Sequence, residues 1–547
     1  MPGSVAQEMK CKLCGETPPI KSNRGVVDEL HRLLAYLDPE PEPSCPSPKC
    51  RNHGNGLYAS RRSYQSFGKT RHGSTRYLCK ACRKTFSVAG PTTGQKKPHH
   101  NREVFMELVN KAPFRRILEK RDITAATLYA KIDFLFEQCQ RYLASRELKL
   151  LERFPLGHLS ISVDRQDYYT NWTRRDDRRN IPVHAVVSAD NRSGYVFGAH
   201  LNYDPRFDPV EVEADVRTDD DDKKERHHRR YARFWLAADY AKSLAESAGA
   251  KRFIGKKTVL DSAMAAYANA NSRTDIEASD SYSATTKLPD NGMQVHGEYT
   301  FYAHFFALKR LLSGAQSITF YLDQDSGIRA ACLAAFQEEI TQDFVHAFYV
   351  RTNKDMTKGQ KLVAHNEALK CFEEAKARFA HSGPNPKTDV EVKLAIIRER
   401  LPSMREIGDF RDRWLLHPLP TMNEPEKALS CLTDRKDSQL TKDGRAYMYL
   451  YGSMHGADRF LETIRRRLSP LERALSTSSA SGRRWYGYAP YNPAIIEKLL
   501  TILRVYYNYC LVSKGSGAKG TPAMRLGLAK GPVRVEDVIY FGGPSTA

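Results

Sequence analysis

Long apolar runs are missing from this sequence of 547 residues. No stretch approaches the roughly 18–20 consecutive apolar residues of a membrane span, and mean hydropathy is −0.57. The opening MPGSVAQEMK has no apolar segment of the kind a secretory signal carries, so neither a secreted nor a membrane protein is expected. No internal repeat stands out. Acidic residues are few beside basic ones, 64 against 85, which leaves a formal net charge of +21. That excess favours polyanionic partners through phosphate neutralisation and counterion release, although a soluble basic enzyme has the same balance. Hydrophobic residues make up 41%, enough for real cores. At roughly 150 residues per domain the length suggests three or four domains.

Cysteine is scarce too, 11 in all, yet six precede residue 83 in close pairs: Cys11/Cys14 in CKLC, Cys45/Cys50 in CPSPKC and Cys79/Cys82 in CKAC. Such spacing lets both thiolates of a turn reach one metal ion, with a second pair completing a tetrahedron. Cys45, Cys50, Cys79 and Cys82 form the best set. The polar, glycine-bearing stretch between them reads as short strands and turns, so a zinc ribbon with structural Zn²⁺ is expected. Disulfides are disfavoured by the missing signal and the five cysteines scattered downstream. Cys11/Cys14, with His31 or His53, is either a second zinc site or a reduced pair. Lys49, Arg51, Lys69, Arg71, Arg76, Lys80, Arg83 and Lys84, with Tyr77 and Phe86, make a basic surface with aromatic platforms suited to phosphate and base contact.

From 98 to about 150 the pattern turns helical. Val104, Phe105, Leu108 and Val109 are in phase, Pro113 breaks the run, and FRRILEKR follows as a short helix. A longer helix begins after Thr124, its expected N-cap, with Leu128, Ile132, Leu135 and Phe136 on one face. This spacing suits a helix-turn-helix, with Thr127 and Lys131 toward DNA. A plain three-helix packing unit fits the pattern equally.

HLSISVD (158–164) alternates apolar and polar residues and is expected to end in Asp164. IPVHAVVSA and YVFGAHL read as two further strands joined by the turn DNRSG. Three antiparallel strands, the first ending in an acid, open an RNase H-like fold. A second strand-to-acid step follows at SITFYLD (317–323), ending in Asp323, with Asp325 as its rival; a helix and the strand VHAFYVR (345–351) come next. Two carboxylates on neighbouring strands can share divalent cations for two-metal phosphoryl transfer. A few acids suffice for Mg²⁺. The third acid is expected on the helix SMHGADRFLETIRRRLSPLER, as Asp458 or, alternatively, Glu462. Arg465 lies on the same face to meet DNA phosphates. The run Asp219–Asp220–Asp221–Asp222 is expected to point to water, and Glu424 and Glu426 to sit in a loop.

This arrangement resembles insertion-sequence DDE transposases with an integrase-like core, an N-terminal zinc ribbon and a helix-turn-helix. The resemblance rests on CPSPKC…FGKTRHGSTRYLCKACRKTFS, on DRFLETIRRRLSPLER, and on the tail YYNYC…TPAMRLGL. It implies metal-dependent cleavage at transposon ends and strand transfer of the 3′-hydroxyl into target DNA, with Mg²⁺ or Mn²⁺ at Asp164, Asp323 and Asp458 or Glu462. An aspartate would stand where the family usually has glutamate. It also implies double-stranded DNA partners, a homo-oligomer, and a cytoplasmic, nucleoid-associated protein.

The expected layout is α/β and multidomain: a zinc-binding ribbon at 1–97, a helix-turn-helix at 98–150, and an RNase H-like core (a mixed five-stranded sheet with flanking helices) beginning at 151–354. A helical insertion at 355–445 and the core helix at 446–473 follow. The insertion widens the gap between the last two acids and carries Trp414, which is either core or a base-stacking platform. The C-terminal region, 474–547, is basic and aromatic, with Arg483, Arg484 and Trp485 as DNA-binding candidates. Two rival functions share this pattern: a catalytically silent zinc-ribbon DNA-binding protein and an RNase H-like nuclease.

Overall fold

The computed structural model describes residues 20–38, 42–71, 73–171, 173–174, 176–247, 258–271, 282–353, 355–380, 388–408, 411–435, 437–472, 475–476, 484–485, 487–513 and 519–542. Along the chain come α1 (Asn23–Leu34), β1 (Tyr64–Lys69), β2 (Thr75–Cys79), β3 (Thr85–Val88), α2 (Asn101–Leu108), α3 (Phe114–Arg121) and α4 (Ala125–Leu151). The strands β4 (Gly157–Thr170), β5 (Ile181–Asp190), β6 (Val196–Leu201) and β7 (Tyr203–Asp204) precede α5 (Pro209–Thr218), α6 (Ala237–Ser247), α7 (Val259–Asn271) and β8 (Met293–Gln294). Then follow α8 (Gly297–Leu311), β9 (Ala315–Asp323), α9 (Ser326–Ala335), α10 (Gln337–Thr341), β10 (Val345–Thr352), α11 (Lys358–Ala380) and α12 (Asp389–Arg400). The last elements are β11 (Arg405–Ile407), β12 (Asp412–Leu416), β13 (Lys427–Cys431), α13 (Lys442–Tyr451), α14 (His455–Arg467), β14 (Leu475–Ser476), β15 (Arg484–Trp485), α15 (Pro493–Val505), α16 (Pro522–Leu526) and α17 (Val535–Ile539). No helix among the described residues is long and apolar enough to cross a membrane.

The chain divides into two compact units. The first takes the described residues of Met1–Leu33, Leu150–Arg465 and Arg473–Glu497. Its centre is a mixed eight-stranded sheet in the order β11-β12-β13-β10-β9-β4-β5-β6. β4 is parallel to β9, β9 to β10, and β5 runs antiparallel to both β4 and β6. Alternation along β4 sends Ile161 and Val163 to one face and Ser162 and Asp164 to the other. On the first face Phe320, the register partner of Ile161, packs on Phe305 of α8 and on Phe336 beyond α9. On the second, Tyr321, Phe348, Val350 and Leu429 bury against Ile397 of α12 and Ala446 and Tyr449 of α13.

Two expectations are corrected here. β4 does not stop at Asp164. RQDYYT breaks the apolar alternation, but β5 keeps pairing with it as far as Thr170↔Ile181, so Asp164 lies mid-strand. The insertion at 355–445 is not wholly helical either, since β13 pairs antiparallel with β10 and carries β12 and β11 outward. These strands are only three to five residues long, too short for a clear period. At the other end of the chain, α1 belongs to this first unit rather than to the cysteine module. Val26 packs with Val212, Phe234 and Tyr299. The buried Glu29 pairs with Arg32 and with Arg233 at 2.7 Å, and Arg233 reaches Asp204 at 2.9 Å.

The second unit takes the described residues of Leu34–Lys149, Arg466–Glu472 and Lys498–Ala547. It contains the three-stranded sheet β1-β2-β3, the three helices α2–α4 and the C-terminal helices. The tail closes on α4: Tyr142 meets the edges of Tyr509 and Phe541, and buried Arg504 and Tyr36 both bond the Glu147 carboxylate. The Thr-Pro-Ala motif starts α16, with the Thr521 hydroxyl accepting the Met524 amide. In this tail Tyr507, Asn508, Tyr509, Thr521, Pro522 and Ala523 are buried in the unit.

Candidate functional site

Val163 and Leu322 are register partners on adjacent parallel strands, so the next residue of each, Asp164 and Asp323, are neighbours on one sheet face. Strand spacing puts their backbones about 4.8 Å apart. Asp164 is buried and its Oδ1 accepts the Arg165 amide at 2.7 Å. On the other side of Asp323, the register partner is Val350.

The helix with the third candidate is fixed to this same face through its first turn. A helix leaves its leading amides without partners inside the helix. Here each one from 454 to 457 has an acceptor. Met454 donates to Glu424 Oε1 at 3.3 Å, His455 to Ser453 Oγ at 3.0 Å, Gly456 to Asn191 Oδ1 at 2.8 Å and Ala457 to Ser162 Oγ at 2.8 Å. Asn191 also donates to the Ser453 carbonyl, and Ser453 Oγ to Glu424. Further along, Arg465 reaches Gln166 Oε1 at 3.2 Å, and Gln166 shares the β4 face of Ser162 and Asp164. Asp458 is partly buried on the helix between these anchors, whereas Glu462 is exposed.

Ser162, Asn191, Gly456 and Gln166 had no place in the sequence reading. The one available signal was the glycine in the first turn of an otherwise strong helix, which marks a close backbone approach. Asp325 points elsewhere than the acid pair: it caps α9 by accepting the Gly327 and Ile328 amides, and it lies 3.5 Å from Arg165. Glu424 and Glu426 are structural, the latter accepting from the Val259 amide and from Asn353. Within the four-aspartate run Asp221 turns inward, contrary to expectation, and accepts the amides of Arg230 and Tyr231. Trp414 is buried, stacked on Tyr349 with centroids 6.2 Å apart, and so is core rather than a platform for a base.

The four cysteines expected to act together do converge. Their sulfurs lie within 4.8 Å of one another, with Cys45 to Cys82 at 3.4 Å and Cys50 to Cys79 at 3.7 Å. Those gaps are too long for disulfides of about 2.05 Å. They suit a tetrahedral metal with ligand bonds of about 2.3 Å, whose sulfurs stand about 3.8 Å apart. The cluster can hold a structural metal ion. Tyr64 builds the first knuckle by taking the Cys45 amide and donating to the Asn52 and Asn55 carbonyls. In the second knuckle the Cys79 and Arg83 backbones close the turn, with Arg83 at φ +61°. Burial raises the Cys79 thiol, but the amides of Cys82 and Ala81 and the Asn52 side chain outweigh it and bring Cys79 down to about 6. Burial pushes Cys45 up to about 12. The Nδ1 of His53 bonds the Cys45 carbonyl at 2.8 Å.

Around this cluster Lys49, Arg51, Lys69, Arg71, Lys80, Arg83 and Lys84 are exposed. Arg76 lies over the exposed Phe67 ring and donates to Thr85. Tyr77 and Phe86 pack against the cysteine core, so the exposed aromatics of the module are Tyr58 and Phe67. The helices α2, α3 and α4 fall where expected, and the Thr124 hydroxyl accepts the Thr127 amide. Lys131 is a correction. It is 3% exposed, and its ammonium donates to the Lys97 carbonyl and to Asn101 inside the unit, turned away from any phosphate. Cys11, Cys14 and Arg483 lie outside the described residues. Arg484 and Trp485 form β15, paired with β14. No family model matches the chain, and no curated protein matches it.

Proposed function

We propose that the chain is a DNA transposase of the DDE type, cleaving at transposon ends and transferring the 3′-hydroxyl into target DNA. The observation that carries this reading is the side-by-side placement of Asp164 and Asp323, with α14 seated on the same face of the sheet. The strand run β6-β5-β4-β9-β10, mixed and five strands wide, supports an RNase H-like core. The outer three strands are then an addition at its edge.

Asp164, Asp323 and Asp458 are the residues that would hold Mg²⁺ or Mn²⁺. Three carboxylates with room for water suit either ion. Such an ion pair, when bound, activates the attacking oxygen and neutralises the leaving one. The protein's part is to fix the two strand acids by sheet register and the helix acid by its four satisfied amides. Arg465, held by Gln166, supplies a cation to a DNA phosphate beside them. The four-cysteine cluster acts as a structural zinc site folding a ribbon, whose exposed lysines and arginines grip double-stranded DNA. The same reading makes the protein a nucleoid-bound homo-oligomer in the cytoplasm.

The test compares the parent with Asp164→Ala for metal-dependent nicking and strand transfer on the protein's own element ends. Loss of both activities with retained DNA binding supports the reading. Equal activity in the two proteins removes it, and hydrolysis by the parent without any joined product replaces it with a nuclease.

A further inference from the structure

Far along the sheet from the acid pair, α12, β12 and α13 with their flanking residues line a half-open cavity of about 430 Å³. That volume lies within the roughly 300–1,000 Å³ of small-molecule sites. Four basic side chains line it: Arg398, Arg413, Lys442 and Arg445. Leu401 and Met404 are among its apolar lining.

The cations are not equally engaged. Arg398 pairs with Asp443 and Arg445 with Asp434, each at 2.9 Å. Arg413 and Lys442 form no ion pair with any carboxylate among the described residues, although Glu406 is the register partner of Arg413 across β11 and β12. Lys442 also opens α13, a helix of 10 residues capped by Thr441, so its leading amides add positive potential at the same rim. A guanidinium plane can pair with a phosphate and also stack on a flat ring, whereas an ammonium acts as a point charge. Cations beside an apolar wall fit a ligand with an anionic end and a flat, weakly polar body.

We propose that this cavity binds a nucleoside phosphate, with the phosphate between Arg413 and Lys442 and the base against Met404 and Leu401. The site is separate from the acid pair and does not depend on the catalytic reading. The ligand is either a free nucleotide or the phosphorylated end of a DNA strand, which present the same chemistry.

Calorimetric titration of the full chain with dAMP tests it, beside the double variant Arg413→Ala/Lys442→Ala. Both positions are exposed, so the variant is expected to fold. Saturable dAMP binding, weakened at least tenfold in the double variant, is the expected result. Equal binding by parent and variant, or no saturable binding by the parent, overturns the proposal. Inorganic phosphate competing as strongly as dAMP also overturns it, because the apolar wall would then contribute nothing. Competition by a 5′-phosphorylated single strand, but not by its 5′-hydroxyl form, assigns the ligand to a strand end; indifference to both assigns it to a free nucleotide. Asp164→Ala keeps dAMP binding unchanged, so the failure of either reading is visible without the other.

Discussion

Ser162 Oγ accepts the amide hydrogen of Ala457 at 2.8 Å, two residues along β4 from Asp164. Four residues beyond Ser162 on the same face, Gln166 meets Arg465, eight residues beyond Ala457. Eight helical residues rise about 12 Å and four strand residues about 13 Å, so α14 runs alongside β4 in step with it. The position of an acid distant in sequence is therefore set by backbone hydrogen bonding rather than by the acid itself.

That seating leaves no room for a side chain at Gly456. A Cβ there would come within 2.9 Å of Asn191 Oδ1 and Ser162 Oγ, and 3.0 Å from the Ala189 carbonyl. Gly456→Ala is expected to destabilise the first unit by about 1–3 kcal/mol, as overpacking does. Metal-dependent cleavage should fall with it. Urea unfolding checks the first part, and an unchanged midpoint would show that the helix shifts freely on the sheet.

Much of this was legible in the sequence. The pairs Cys45/Cys50 and Cys79/Cys82, the helices α2 to α4, the strand that carries Asp164 and the strand that ends in Asp323 have short-range patterns, and each has an element or cluster where the pattern put it. What escaped reading depends on partners distant in sequence. Lys131 looks like a surface cation until Lys97 and Asn101 fold over it. Ser162 and Asn191 are ordinary polar residues until a helix start 295 and 265 positions later needs acceptors. The end of β4 was misplaced because its length is fixed by pairing with β5, not by its own alternation.

His417 gives the first unit a pH-dependent component of stability. Burial, followed by the nearby Lys427 ammonium, lowers its pKa from 6.5 to about 3, and its Nδ1 accepts the Leu419 amide. Between those values the unfolded chain takes up a proton here and the folded chain does not. The stability is thus complete above about 6.5 and lost progressively as pH falls toward 3, by a few kcal/mol in all. His417→Asn is expected to flatten that decline. Urea midpoints at neutral pH and at pH near 4 measure it, and parallel losses in parent and variant would assign the slope to other groups.

Lys131→Met is expected to cost stability rather than phosphate contacts. The change removes the donor of the Lys97 carbonyl and leaves the buried Asn101 Oδ1 without its ammonium partner, worth about 1–3 kcal/mol. The salt dependence of DNA binding should keep the parental slope, because no released counterion is lost. Lys80→Ala, at an exposed site beside the cysteine cluster, should lower that slope. Equal slope changes in the two variants would return Lys131 to the DNA-facing surface.

Asp458 and Glu462 can be separated by helix geometry and then by experiment. At about 100° per residue, Asp458 lies about 20° from Arg465 around the helix, and Glu462 about 60° away on the solvent side. Arg465 marks the flank that touches β4 through Gln166, and Ala457, next to Asp458, marks its other anchor. The partial burial of Asp458 and the exposure of Glu462 agree with that order. Asp458→Asn is expected to remove metal-dependent strand cleavage by a factor of at least 10² while leaving unfolding unchanged within about 1 kcal/mol, in keeping with the electrostatic weight of a ligand carboxylate. Glu462→Gln should retain most of the activity. The discriminating measurement is nicking rate against Mg²⁺ and Mn²⁺ concentration for both variants. If Glu462→Gln is the silent one and Asp458→Asn still cleaves, α14 must rotate by about 40° on binding DNA, and the seating by Ser162 and Asn191 does not hold the catalytic state.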